Sequence, residues 1–426
     1  MHLVHRQTCR CCGSDKLVEV VSLGPQHLQG SFVKEGKEMP PQRRVPLTLM
    51  RCDVTADENA CGLLQLAYSV PPEILYASYW YRSGTNRTMT EHLQGIASEV
   101  AARLNKRSAR VLDIGCNDGT FLNALPDSHK GFGVDPSDVA AECDGDYVLI
   151  RDTFPSPEVA ELAGTEPFDA VTSIAMFYDL EAPVDFSRAV ADYLHADGIW
   201  IIELSYMPTM LARNAYDTLC HEHLEYYSLA VIEFIAEKAG LKVVDATLND
   251  INGGSIRCIL THQSSFRHRT DAGSDHVAAL RQSEFDLALD TDGPYRAFQK
   301  RIDVHRDELR TLIGNIHSQG RTVHVYGAST KGNTILQFCG LDKAQIECAA
   351  DRNPDKHGAR TLGTDIPIVS EVVSREMRPD YYLVLPWHFR KEFLEREAAT
   401  IKAGTAMIFP LPRIEVVSEV AGEVVG

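Results

Sequence analysis

The stretch Val111–Leu122, VLDIGCNDGTFL, leaves this chain few choices of fold. Val111, Leu112 and Ile114 make a short apolar run of the kind that forms a strand buried on both faces. The run stops at Gly115-Cys116-Asn117-Asp118-Gly119, after which Thr120–Leu125 reads as the first turns of a helix. Glycines at a strand-to-helix turn let the backbone approach a ligand with no Cβ in the way, and a helix N-terminus offers unpaired N–H groups. A second strand, Gly131–Val134, ends in Asp135, the position from which an acidic side chain about twenty residues on reaches ribose hydroxyls. A dinucleotide-binding turn is the other reading of such a loop, although the G-x-G-x-x-G fingerprint is absent.

At 426 residues the chain has room for two or three domains, each with its own core. A net charge of −17 argues against nucleic acid as the main partner, while leaving room for a local basic pocket. No apolar run approaches membrane-span length, and MHLVHRQTCRCCG lacks the apolar core of a signal peptide, so the expectation is a cytoplasmic protein with no membrane partner. Eleven cysteines in such a chain do not read as a disulfide framework. Cys9 and Cys12 form C-x-x-C, and Cys52 and Cys61 follow as a wider pair. Two cysteine pairs on tight turns suit a tetrahedral Zn²⁺ site of four thiolates, with buried unliganded cysteines or a redox pair as the alternative and Cys11 as a spare thiol.

Between the pairs, Gly24–Pro46 reads mostly as loop, and Leu63–Val70 as a strand that closes the module. The aromatic segment Tyr76–Gly84 is either a packing seam or a lid carrying tyrosine hydroxyls, and Glu91–Asn105 has helical periodicity. Asp152, after the strand Tyr147–Ile150, is a candidate contact for adenine or a helix cap. Phe168–Ser173 and Ile199–Leu204 read as the fourth and fifth strands. In Cys220-His221-Glu222-His223 the H-E-x-x-H metal spacing is missing, but on an extended segment both histidines would point to one side. A carboxylate beside an imidazole suits general-base work; polar groups bonded at a domain junction are the alternative. Val277–Gln319 is helical with a break at Gly293-Pro294. A second strand-turn-helix unit opens at Val323-His324-Val325-Tyr326, with Gly327–Asn333 as a cradle of small residues, hydroxyls and Lys331.

The Asp113–Gly119 motif resembles the first motif of class I S-adenosylmethionine-dependent methyltransferases. The whole layout, from the cysteine module through VLDIGCNDGTFL, HEHLEYYS, NDINGGS and YGASTKGN, resembles the sugar-nucleotide C-methyltransferases, typified by the thymidine-diphosphate-sugar C-3′-methyltransferases. The resemblance implies an α/β chain: a zinc-binding module (1–72), a class I Rossmann-like methyltransferase domain (73–248) and a C-terminal Rossmann-like substrate domain with linker helices (249–426). It implies S-adenosylmethionine and Zn²⁺ as cofactors, with Cys9, Cys12, Cys52 and Cys61 as metal ligands. Gly115, Asn117 and Asp135 would hold the methyl donor, with Asp113 and Asp152 beside them. Glu222 and His223 would be the catalytic pair, His223 the base, and Tyr79 or Tyr81 a substrate-side hydroxyl. His221, Asn252, Lys331 and Asn333 would meet a nucleotide-linked keto-deoxysugar, to be methylated at C-3 beside a C-4 ketone by a monomer or small homo-oligomer. Cys220 and Asp179 depart from the family's usual Tyr and His. Methyl transfer to oxygen or nitrogen of another small molecule, and a non-catalytic zinc-ribbon scaffold, are the competing readings.

Overall fold

The computed structural model describes residues 3–34, 36, 43–75 and 81–418. Its largest sheet has seven strands in the order Leu241–Asn249, Ser255–His262, Leu194–Ser205, Phe168–Ile174, Arg110–Ile114, Lys130–Val134, Tyr147–Ile150. Arg110–Ile114 lies parallel between Lys130–Val134 and Phe168–Ile174, and its Val111 and Leu112 are fully buried. The strand order reverses beside it, and the crevice at the carboxyl ends of such a switch point is where open α/β sheets bind ligands. The helix Arg87–Leu104 covers one face, capped by Asn86, whose side chain accepts from Met89 N; it buries Met89, Leu93, Ile96, Ala97, Val100 and Leu104, a helical spacing.

One expectation needs correction. Thr120–Leu125 does not open a helix: there is only a 3₁₀ turn at Leu122–Ala124. Leu125 precedes Pro126 and is extended (φ −66°, ψ 148°), as a residue before proline must tend to be, and this stops the helix after one turn. The seven-stranded sheet itself runs on past residue 248. Ser255–His262 pairs antiparallel with Leu194–Ser205 from Trp200↔Leu260 to Ser205↔Ser255, so the hairpin of Leu241–Asn249 and Ser255–His262 belongs to this first sheet.

The second sheet repeats the plan. Ile368–Ser370, Ala349–Asp351, Val323–Tyr326, Tyr381–Val384 and Ala406–Phe409 run parallel, and Glu415–Val417 adds an antiparallel edge. The helices Asp271–Asp286 and Gly293–Ser318 connect the two units, the latter starting where Pro294 is tolerated.

The N-terminal module is less separate than its motif suggests. Leu17–Gln26, Val45–Cys52 and Leu64–Leu66 form an antiparallel sheet whose fourth strand, Glu225–Tyr226, comes from the segment after His223. Val21, Leu47, Leu49 and Leu66 share one core with Tyr295, Phe298, Ile335 and Leu336. Within the stretch expected as loop, Phe32–Val33 pairs with Arg360–Thr361, tying the module to the second Rossmann-like unit.

Candidate active site

The four cysteines that the sequence singles out lie together: the Sγ atoms of Cys9, Cys12, Cys52 and Cys61 are all within 4.8 Å of one another. A tetrahedron with Zn–S bonds of about 2.3 Å has edges of about 3.8 Å, so the set fits Zn²⁺. Cys9–Cys61 and Cys12–Cys52 each stand at 3.5 Å, and Cys11 is outside the set.

At the carboxyl end of Arg110–Ile114 the chain turns through left-handed conformations at Gly115 (φ +76°), Asn117 (φ +52°) and Gly119 (φ +74°). Gly115 N donates to Val134 O at 2.8 Å, and Asn117 N to Asp135 Oδ2 at 2.9 Å. Ser137 N donates to the other carboxylate oxygen of Asp135 at 2.8 Å. Gly115, Asn117 and Asp135 thus converge. A Cβ on Gly115 would approach Met176 Cγ to 3.0 Å, so the turn needs its glycine. An open backbone turn facing a carboxylate at the end of the second strand suits the ribose of a nucleoside donor. Asp113 lies beneath the loop instead, buried and accepting from Thr172 Oγ1 at 2.6 Å, its carboxyl pushed up to about 7 by burial. Asp152 stands exposed and accepts from Thr153 N at 2.7 Å.

A strap crosses this loop. Ser83 N donates to Asn117 Oδ1 at 3.0 Å, Asn117 Nδ2 to Tyr81 O at 3.1 Å, and Gly84 N to Asp118 Oδ2 at 2.7 Å. Arg82 meets Glu142 at 2.7 Å and Asp355 of the second unit at 3.0 Å. Tyr81 therefore reaches the site; Tyr79 lies outside the described residues.

A cleft of about 390 Å³ runs between the two Rossmann-like units, and Tyr81, Glu222, His223, Asn252 and Lys331 all line it. His223 Nδ1 pairs with Thr218 O at 2.9 Å; a carbonyl can only accept, so Nδ1 carries the proton and Nε2 is the basic nitrogen. The ring packs on Tyr178 at 4.3 Å between centroids. Burial, helped by the Lys331 charge, pushes its pKa down to about 3, so the ring is neutral. Burial drives the other way at Glu222, raising its carboxyl to about 7. Cys220 and the Gly30 amide hold that carboxylate, and a Cβ on Gly30 would collide with its Oε1.

Two predicted substrate residues face elsewhere. His221 is buried, pairing with Gln29 Oε1 at 2.7 Å and Val45 O at 3.2 Å in the N-terminal module. The segment turns at Cys220–His223, with His223 N on Cys220 O, and this destroys the alternation that would put both histidines on one side. Asn333 is buried behind the cleft, its Nδ2 on Gln29 O at 2.6 Å. Sequence reasoning took Asp351 and His388 only as the ends of strands and passed over Arg352, Lys356 and Arg396; all five line the cleft. The signal was present, because Asp351 and His388 follow the carboxyl ends of parallel strands.

Three family models match consecutive parts of the chain: a zinc binding domain at residues 9–76, a methyltransferase domain at 86–246 and a C-methyltransferase C-terminal domain at 250–412. This is the domain set of an S-adenosylmethionine-dependent C-methyltransferase. A full-length relative, C-methyltransferase NovU of Streptomyces niveus, is 28% identical over 422 residues and covers 96% of each chain. Among solved structures, an S-adenosylmethionine-dependent methyltransferase from Clostridium acetobutylicum is 13% identical with a TM-score of 0.33, covering 41% of this chain and 92% of that one. Magnesium protoporphyrin IX methyltransferase from Synechocystis, with bound S-adenosylhomocysteine, is 14% identical with a TM-score of 0.34, covering 42% and 88%. Among the described residues no helix is long and apolar enough to cross a membrane.

Proposed function

We propose that the enzyme methylates a carbon of a nucleotide-linked keto-deoxysugar, at C-3 beside a C-4 ketone, as a step in deoxysugar biosynthesis. The observation that carries this reading is His223. Its tautomer is held by Thr218 O, leaving Nε2 as a base in a cleft walled on one side by the donor loop's unit and on the other by a second nucleotide-type fold. A proton next to a ketone is acidic enough for a positioned imidazole to remove. The Glu222 carboxylate, once ionised, favours the imidazolium that results.

Gly115, Asn117 and Asp135 would hold the donor, which supplies an electrophilic sulfonium methyl group. Tyr81, with Tyr79 as the alternative, would offer a hydroxyl to the sugar. The loop from Gly327 and the cap Ser329 would take the nucleotide handle, with Asn252 and Lys331 at the junction. Support for a handle on that side comes from the second loop's own geometry: Gly327 N donates to Ala350 O at 2.8 Å and Ala328 N to Asp351 Oδ2 at 2.8 Å, the donor loop's pair of bonds with the aspartate reached one residue nearer the glycine.

The test is His223→Ala with a panel of keto-sugar nucleotides. The variant is expected to bind S-adenosylhomocysteine as the wild type does while losing turnover by about 10²–10⁴-fold, the usual worth of a general base. Product NMR must show a C–CH₃ group. An O–CH₃ or N–CH₃ product, or a fully active variant, would end the reading.

A further inference from the structure

Five described cations line the cleft, and four of them are already paired. Arg82 meets Glu142 and Asp355, Arg352 meets Glu392, Lys356 meets Asp351, and Arg396 meets Glu371. Lys331 forms no ion pair among the described residues; its Nζ donates to a neutral group, Asn252 O, at 2.8 Å. An ammonium has three donors, so two of its N–H bonds remain for a ligand.

Its surroundings belong to the base rather than to the phosphate side. Asn252 lies in the turn between Leu241–Asn249 and Ser255–His262, the hairpin of the first sheet, and Gly253 beside it packs so closely on Trp387 that a Cβ would come to 3.0 Å from the indole. Trp387 Nε1 donates to Asp217 Oδ2 at 2.9 Å, and the next residue, Thr218, is the one whose carbonyl holds His223. Thr334, one turn along the helix from Lys331, donates to Leu219 O at 2.8 Å. The second unit therefore braces the base-bearing turn and presents Lys331 beside it. In keeping with this, burial lowers the lysine's proton affinity, and its charge is felt by both His223 and His388.

Resting on the proposed carbon methylation, we infer that Lys331 is a catalytic residue that stabilises the enolate oxygen, supplied to the methyltransferase site by the C-terminal unit, and not a ligand of the diphosphate. His223 Nε2 takes the proton from the carbon beside the ketone. The C–H electron pair becomes a C=C bond, and the negative charge that settles on the former ketone oxygen is met by the Lys331 ammonium. The pair then returns to form the new C–CH₃ bond as the S–CH₃ bond breaks, its electrons leaving on sulfur as S-adenosylhomocysteine. The proton passes from His223 to solvent. A preorganised donor aimed at developing oxyanion charge is worth about 10²–10³-fold.

The experiment is solvent-deuterium exchange at that carbon, in the presence of S-adenosylhomocysteine, which reads enolisation without methyl transfer. Lys331→Met is expected to lose exchange and kcat by about 10²–10³-fold, while KM for the sugar nucleotide and affinity for a nucleoside diphosphate change little. Lys331→Ala is expected to recover part of its exchange when ethylamine is added, a rescue that a purely structural lysine would not show. Lys331→Arg, which keeps the charge, is the variant to read if the others fail to fold, and it must exceed the exchange of a His223→Ala control. Wild-type exchange in Lys331→Met together with a raised KM would overturn the inference and make the lysine a diphosphate ligand; an inactive Lys331→Arg that folds and binds donor product would overturn it too. If the wild type neither exchanges nor methylates any keto-sugar nucleotide, the carbon-methylation reading itself has failed.

Discussion

The loops at Gly115 and Gly327 share a hydrogen-bond skeleton and differ in everything around it. In each, a glycine with positive φ closes the first strand of a parallel sheet and donates to the second strand, while the loop's next turn donates to an aspartate at that second strand's end. Each aspartate also accepts from the residue two positions on, Ser137 N for Asp135 and Asn353 N for Asp351, both at 2.8 Å. Beyond the loop they part. The first is followed by a single 3₁₀ turn and is flanked by Asp113 and Asp118; the second enters a ten-residue helix capped by Ser329, with Lys331, Arg352, Lys356 and Arg396 around it. The acidic surroundings of the first suit hydroxyls and a cationic sulfonium; around the second, Arg352, Lys356 and Arg396 suit the anionic handle proposed above.

The largest expected effects separate base from loops. Removal of His223 is expected to take turnover down by orders of magnitude with S-adenosylhomocysteine still bound. Next come the aspartates. Asp135→Ala is expected to weaken S-adenosylhomocysteine by about 10–100-fold, the cost of losing charged hydrogen bonds, with nucleoside diphosphate affinity unchanged; Asp351→Ala reverses the pattern. Calorimetric titration of each variant with each ligand would break the comparison if both variants lost the same ligand.

A smaller effect concerns the Glu222 carboxyl, held at about 7 in the cleft. If its ionised form supports the imidazolium, activity climbs as pH rises through about 7, and Glu222→Gln flattens that limb of the rate profile. Gly30→Ala sharpens the point, because the added methyl displaces the same carboxylate; overpacking of this kind costs ~1–3 kcal/mol and should lower kcat with donor binding intact.

The smallest effect is on stability. His221, in contact with Gln29 and Val45, has its pKa lowered by burial from 6.5 to about 4. Between those values the unfolded chain binds more protons, so the stabilisation is complete above 6.5 and is lost as pH falls through the window. Thermal melts should show His221→Gln losing less stability than the wild type on acidification from pH 7 to 5, with no matching change in the activity profile.

Much of this was legible in the chain. The strand-glycine-aspartate grammar of both units is local, as are the cysteine pairs, and each reads directly because short-range geometry decides it. What escaped was long-range. His221 and His223 differ by one turn that only packing against the N-terminal sheet determines, and Asn333 is turned from the cleft by its bond to Gln29. Ser255–His262 joins the first sheet only through its ladder to Leu194–Ser205, a pairing that no local pattern announces. Gly30 carries no motif at all, and its role appears only once Glu222 is beside it.

The most direct test of two folds with two ligands is a calorimetric titration of the wild-type enzyme with S-adenosylhomocysteine before and after saturation with a nucleoside diphosphate, using a panel of bases. Two saturable sites, each filling in the presence of the other and at one ligand per chain, are the predicted result. Mutual competition for one site, or binding of neither, would contradict it.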